Sequence, residues 1–384
     1  MPRGRKTLAS ILCQQNLDHV GWQYDADTPY DRPLGGTQSA MCYLGCELAR
    51  LGHAVTIANG NPSPSESRGV QFRNYGDILR PGSLNDFDAV IVSTNAIGER
   101  LRRDSAVTVP RFLWIHAGNT EELAVAQLHR PAERDSWTGF VFVSNWQREQ
   151  FEKRFAIPRE KSRVLRNAVS PAFAEIPEAP PWFAVSEPPV LFYTSPPYRG
   201  LDVLLQAFPT IRAALPGTRL KLFSGMGVYQ VRSEDDPFRE LYRHAQSIDG
   251  VEYEGVVGQA RLAQEMTGAA ALAYPSTDPE SSCIAALEAM AAGAAVLATK
   301  RGALAETTNG FGFLTDWRDD RGELALHFAA ITIAVLDGMR QNPAAAAAHR
   351  AAQIAFIRAN YLWPARAREW VDFLSQLAPA SVRA

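Results

Sequence analysis

Two glutamates, Glu280 and Glu288, stand eight positions apart in Pro279-Glu280-Ser281-Ser282-Cys283-Ile284-Ala285-Ala286-Leu287-Glu288. An apolar run, Ala270 to Tyr274, and a polar turn, Pro275-Ser276-Thr277-Asp278, precede them. Behind them Ala289-Met290-Ala291-Ala292-Gly293 leads into a second apolar run, Ala295 to Ala298. The pattern reads as strand, turn, helix, glycine stop and strand. Eight residues of helix rise about 12 Å, beyond the roughly 5 to 9.5 Å between the carboxylates of a glycosidase. At that separation one carboxylate can meet a sugar while the other meets a ribose. The helix N-terminus between them, with its free N–H groups and positive dipole end, suits a diphosphate. The segment is therefore expected to cradle a nucleotide-diphosphate sugar. The plainer alternative is a solvated Glu280 and a Glu288 on an exposed helix face.

At these residues the chain resembles the family-4 retaining glycosyltransferases of the GT-B fold. Their signature is an acidic pair with seven residues between, then Ala-Met-Ala-x-Gly, then an apolar strand; Glu280 and Glu288 keep the spacing, and Glu288 to Gly293 keep the run. The resemblance spans about Gly35 to Gly312 discontinuously and is densest from Val190 to Glu306. It implies transfer of a sugar from a nucleotide-diphosphate donor with retention, no required metal, and no cofactor besides the donor substrate. Glu280 would orient the sugar hydroxyls and Glu288 the ribose hydroxyls.

Further motifs fit around this pair. In Pro33-Leu34-Gly35-Gly36-Thr37-Gln38 two glycines allow a tight turn and close backbone approach to a ligand, and Thr37 can cap the helix that follows. The resemblance puts Gly36 near the donor phosphate and the acceptor. Tyr193-Thr194-Ser195-Pro196-Pro197-Tyr198-Arg199-Gly200 follows another apolar run. The family has an Arg after this strand and a Lys just before the glycine, both on the diphosphate. Arg199 takes the Lys place and can fork onto phosphate oxygens. The Arg place holds Thr194 or Ser195, so one cation is missing. His116, in Trp114-Ile115-His116-Ala117, ends a strand at the edge where open α/β sheets bind ligands; the resemblance has it contact the transferred sugar, and the bland alternative is a satisfied structural histidine. Ser224-Gly225-Met226-Gly227 is an incomplete dinucleotide fingerprint, since Gln230 holds the third glycine position. By resemblance Gly225 is a donor-side turn and Val257 an edge of the nucleobase pocket. Ser282, Cys283 and Ile284 complete the donor set, although Cys283 brings a bulkier side chain to a place where backbone is expected to approach phosphate. The residues assigned to catalysis are thus Glu280, His116 and Arg199. Asp86-Phe87-Asp88 precedes its strand instead of following it and is read as a turn, with no metal.

Positioning these groups requires an ordered scaffold, and the whole chain supplies its pattern. With 384 residues, 46% of them hydrophobic and 21% charged, the chain has material for two cores. A net charge of −2 gives no field for nucleic acid. Cys13, Cys42, Cys46 and Cys283 show no framework spacing, which suggests reduced thiols in a cytoplasmic protein. No apolar run reaches the roughly 18 residues that a membrane span needs. The basic stretch from Arg148 to Arg166 offers contact with an anionic membrane or acceptor, or is a solvated helix face.

Strands are expected at Thr7–Cys13, Ala54–Ala58, Ala89–Val92, Arg111–Ile115 and Phe140–Val143. They are expected again at Val190–Tyr193, Arg219–Phe223, Val251–Tyr253, Ala270–Tyr274 and Ala295–Ala298. Helices fall between, as over Thr37–Leu51. Such alternation predicts an α/β protein with two doubly wound, Rossmann-like parallel-sheet domains facing a cleft. The expected division is residues 1–175 for the acceptor side, a Pro-rich linker over 176–189, residues 190–362 for the nucleotide-sugar side, and a helix over 363–384 crossing back to the first domain. A nucleotide-sugar epimerase and an inactive sugar-nucleotide-binding module of the same fold stay open as alternatives. The acceptor is open between glycan, lipid-linked sugar, natural product and protein.

Overall fold

The computed structural model describes residues 10–13, 22–118, 122–177, 179–185 and 187–377. It divides into two compact units: Met1–Pro29, Gly36–Asn167 and Trp363–Ala384 form the first, and Tyr30–Gly35 and Ala168–Leu362 the second.

The first unit is built on an eight-stranded sheet. Its strands are β1 (Ser10–Cys13), β2 (Val55–Asn59), β3 (Ser65–Ser67), β4 (Val70–Asn74), β5 (Val90–Ser93), β6 (Arg111–Ile115), β7 (Gly139–Phe142) and β8 (Ser162–Val164), in the order β3-β4-β2-β1-β5-β6-β7-β8. All neighbours are parallel except β3 with β4. The central strands bury both faces, which is why they read as unbroken apolar runs. Helix α1 (Gly36–Arg50) follows β1, and helix α2 (Asn145–Phe155) follows β7.

The second unit holds β9 (Val190–Tyr193), β10 (Arg219–Leu222), β11 (Val251–Tyr253), β12 (Ala271–Tyr274), β13 (Ala295–Thr299) and β14 (Phe313–Thr315), ordered β11-β10-β9-β12-β13-β14 and all parallel. Its helices include α3 (Leu201–Ala214), α4 (Ile284–Ala292), α5 (Arg321–Gln341) and α6 (Pro343–Asn360). Contrary to expectation, α5 is long and apolar enough to cross a membrane by length and composition. Its Leu324, Phe328 and Leu336 are instead buried in the second core.

Residues 7–9 of the first expected strand lie outside the described residues. Thr37 is inside α1 and does not precede it, so it is not the cap. Around the Pro-rich stretch over 176–189, the chain passes into the second unit at Asn167 and Ala168, and Ile176 and Trp182 belong to the second core. Just before it, Pro171 starts a short helical turn, Pro171–Ala174, because Pro fits the first helical position at no cost in hydrogen bonds, and Pro181 precedes the turn Trp182–Ala184. Arg340 covers the Trp182 ring at 5.0 Å.

The last helix, α7 (Trp363–Leu377), belongs to the first unit. Trp363 packs on Tyr43 of α1 with ring centroids 6.0 Å apart, Trp370 on Trp114 of β6 at 5.1 Å, and Phe373 on Phe112 at 5.2 Å.

Candidate functional site

In the second unit the loops at the carboxyl ends of β9, β10, β11 and β12 are tied together. After β9, Pro196 to Gly200 turns through a short 3₁₀ segment, and Gly200 takes φ +100°. A Cβ there would stand 2.1 Å from the Pro275 carbonyl oxygen, so only glycine lets this turn meet the loop after β12. Thr277 Oγ donates to the Tyr198 carbonyl (3.2 Å), and Ser224 Oγ to the Ser195 carbonyl (2.7 Å). Gly225 approaches the loop after β11: a Cβ on it would be 3.2 Å from Val256 Cγ1, beside Val257. The structure thus brings Ser195, Arg199, Gly225, Val257, Glu280, Ser282 and Cys283 to connected loops of one unit, with Ile284 and Glu288 in the helix α4 that follows. Gly36 and His116 belong to the first unit.

Arg199 and Glu280 meet directly. Arg199 Nη1 donates to Glu280 Oε1, and the Tyr274 hydroxyl donates to the same oxygen. Glu280 is buried at 5% exposure, so the solvated alternative for it does not hold. Glu280 raises the Arg199 guanidinium well above its usual range. Arg199 Nε is buried and donates no hydrogen bond. Two roles assigned separately in the sequence are therefore joined in one ion pair. Tyr274 was legible only as the end of a strand; the signal for it was a tyrosine at the ligand edge, six residues before an acid.

The helix begins at Ile284, with Cys283 as its N-cap residue, and not at Glu280. Glu280 lies in an isolated bridge to Gly302, and its carbonyl accepts from Ala303 N (2.7 Å). The 12 Å helical separation of the two acids thus fails, because half of the interval is loop. Pro279 and two serines favour this turn over helix. The Cys283 side chain is buried in the second core; burial pushes its thiol well above the usual range. Ser282 and Ile284 flank it half-buried.

Glu288, one turn into α4, is 4% exposed rather than on a solvated face. Its Oε1 has no hydrogen-bond partner, while a backbone hydrogen bond from Ser170 reaches the carboxylate. Desolvation pushes it up to about 8, and the Ser170 contact opposes that shift. A buried carboxyl with an uncommitted oxygen is costly unless something completes it.

In the first unit His116 follows β6. Its Nδ1 lies 3.3 Å from Ser93 Oγ and its Nε2 3.3 Å from Asn167 Oδ1. Desolvation lowers it to about 4, against the hydrogen bonds to Asn167 and the Trp114 backbone. His116 N donates to Thr94 Oγ (3.1 Å), and Thr94 sits at φ +62°, a strained conformation for a β-branched residue. Gly36 opens α1. In the basic stretch, Arg148 and Arg159 both reach Glu152, at 3.8 and 2.9 Å, which moderates that face.

Residues 188–332 match the family model described as glycosyl transferases group 1. No curated protein matches the chain. Among solved structures, a glycosyltransferase from Rickettsia africae superposes with a TM-score of 0.71 at 14% identity, over 97% of this chain and 99% of that one. Sucrose-phosphate synthase from Thermosynechococcus elongatus gives 0.68 at 17% identity, over 96% and 99%. HepE of Anabaena, solved with UDP-glucose, gives 0.69 at 14% identity, over 96% and 100%. The fold is GT-B. In GT-B terms, the loops just described rim the carboxyl edge of the second Rossmann-like sheet, where an open parallel sheet takes its ligand.

Proposed function

We propose that this protein is a glycosyltransferase that moves a sugar from a nucleotide-diphosphate sugar to an acceptor, as a retaining, metal-independent member of family 4. One observation carries the reading: a buried Glu288 with an uncommitted oxygen lies one turn into the helix whose N-terminus follows the Arg199–Glu280–Tyr274 cluster. The family match over 188–332 and the UDP-glucose in HepE support the same ligand class.

The chemistry in this reading is electrostatic. Arg199 and the N-terminal amides of α4 take up charge developing on the leaving diphosphate. Glu280 aligns sugar hydroxyls, and Tyr274 fixes the orientation of its carboxylate. Glu288 accepts from the ribose hydroxyls, which complete its unpaired oxygen. His116, on the first unit, is assigned to the sugar and acts as a neutral imidazole. The acceptor stays open between glycan, lipid-linked sugar, natural product and protein. We place the protein in the cytoplasm, with peripheral membrane contact through the Arg148–Arg166 stretch to be tested by flotation with anionic vesicles.

A sugar-nucleotide-binding module is the second reading, favoured by the commitment of Arg199 to Glu280 and by the absence of a cation at Thr194 and Ser195. A panel of radiolabelled nucleotide sugars separates the readings. Release of free nucleotide supports transfer or hydrolysis, isomerised sugar supports an epimerase, and binding alone supports the module. Glu288→Ala is expected to weaken donor binding about tenfold or more, the loss of hydrogen bonds to a charged group. Arg199→Ala is expected to lower kcat by about 10²-fold. Unchanged kinetics in both would remove the proposed donor pose.

A further inference from the structure

Beside Arg199, the turn after β9 carries Tyr198, and the 3₁₀ turn after β10 (Met226–Tyr229) carries Tyr229. Their hydroxyls are 3.2 Å apart. The Arg199 guanidinium lies 5.7 Å from the Tyr198 ring centroid. Burial pushes the Tyr229 phenol well above its usual range, and Tyr198, Arg199 and Glu280 all act on it electrostatically. Tyr229 therefore stays a neutral O–H donor within reach of the Arg199–Glu280 pair. Tyr198 is 37% exposed, so the pair borders solvent. The turn that presents Tyr229 is pinned: buried Asp236 accepts from Met226 N (3.1 Å), Phe238 N (2.9 Å) and the Tyr242 hydroxyl (3.0 Å).

Glu280 offsets Arg199, and the strand end that would carry a second cation holds Thr194 and Ser195. A diphosphate still needs donors for its oxygens. We propose that Tyr198 and Tyr229 supply them, so that the donor diphosphate is held by one shared guanidinium, the α4 amides and two phenol O–H groups instead of two cations. The inference rests on the function proposed above and names residues that the reading does not include. In the ligand-free protein the two hydroxyls bond each other; on binding, each turns its proton to a phosphate oxygen. Both rings stay in place, because Asp236 holds one turn and Gly200 the other.

The test is calorimetric binding of UDP, GDP, ADP and dTDP, with the matching nucleosides, to the full chain and to Tyr198→Phe, Tyr229→Phe and the double variant. Phenylalanine keeps the ring and its packing, so a merely structural role is not disturbed. For whichever diphosphate binds the wild-type chain, each single variant is expected to lose about tenfold in affinity, as when one hydrogen bond to a charged group is removed. Nucleoside binding is expected to stay within twofold. Diphosphate affinities unchanged in both Phe variants, beside a wild-type chain that binds, would overturn this inference and leave the proposed function standing. Equal losses for nucleoside and diphosphate would also overturn it, since the hydroxyls would then serve the base or the fold. A wild-type chain that binds none of the four diphosphates would remove both proposals.

Discussion

Glu288 links stability and binding at a single carboxyl. Its folded value of about 8 stands above the ordinary 4.5. The folded state therefore holds a proton that the unfolded state has lost between those two values. The corresponding stability is complete below pH 4.5 and is lost as pH rises through 8. A shift of this size corresponds to about 5 kcal/mol. Glu288→Gln removes the titration. Its melting temperature is expected to exceed that of the wild type by a margin that grows from pH 4.5 to 8 and is flat above, by several degrees at pH 8.5. Melts that run parallel across that range would show that the carboxyl is not desolvated. If ribose hydroxyls need the ionised form, donor binding below pH 8 releases a proton from the wild type and none from Glu288→Gln. Titration in buffers of different ionisation enthalpy reads that proton directly.

Among the elements, the turns that carry the site are held by backbone that admits no side chain. Gly200 and Gly310 make a matched comparison, at φ +100° and +83°. Around Gly310 a Cβ meets nothing within 4 Å, while around Gly200 it meets the Pro275 carbonyl at 2.1 Å. Gly310→Ala is expected to cost about 1 kcal/mol for the left-handed backbone alone. Gly200→Ala should cost at least about 3 kcal/mol, because one of the two turns must move, and donor affinity should fall with it. Urea denaturation of both variants gives the comparison; equal costs would mean that the two turns do not depend on each other. The same loops show what was legible in the sequence. Central strands announce themselves, since burial on both faces leaves runs such as Val190–Tyr193 and Arg111–Ile115 with little else to be. Edge strands β3, β8 and β14 do not, nor does β4 beside β3: Val70–Asn74 alternates buried and exposed side chains, and Ser65–Ser67 is polar throughout. The acids Glu280 and Glu288 were visible from spacing and from the family pattern. Their environments were not, because the Arg199 guanidinium, the Gly302 bridge and the Ser170 amide arrive from distant points of the chain.

At the scale of the molecule, the first unit is closed by residues that come last. Some 195 residues separate Asn167 from Trp363, and all of them lie in the second unit. Only then does α7 bring Trp370, fully buried, onto Trp114 of β6, with Phe373 against Phe112. The two indoles meet edge to face at 68°, an arrangement that favours the ring quadrupoles beyond the area they bury. The first core is thus incomplete until the second unit has been made, and contacts of such sequence separation form late because loop closure must come first. Trp370→Ala removes a fully buried indole from that closure and is expected to destabilise the first unit by about 3 to 5 kcal/mol. The second unit has its own core, without any α7 residue. Unfolding of the variant should therefore separate into two transitions, the first carrying the near-ultraviolet signal of Trp114 and Trp137, and the second that of Trp182 and Trp317. Donor binding to the second unit, followed by nucleotide protection of the later transition, should persist between them. A single transition lowered as a whole would mean that the two units unfold as one cooperative body.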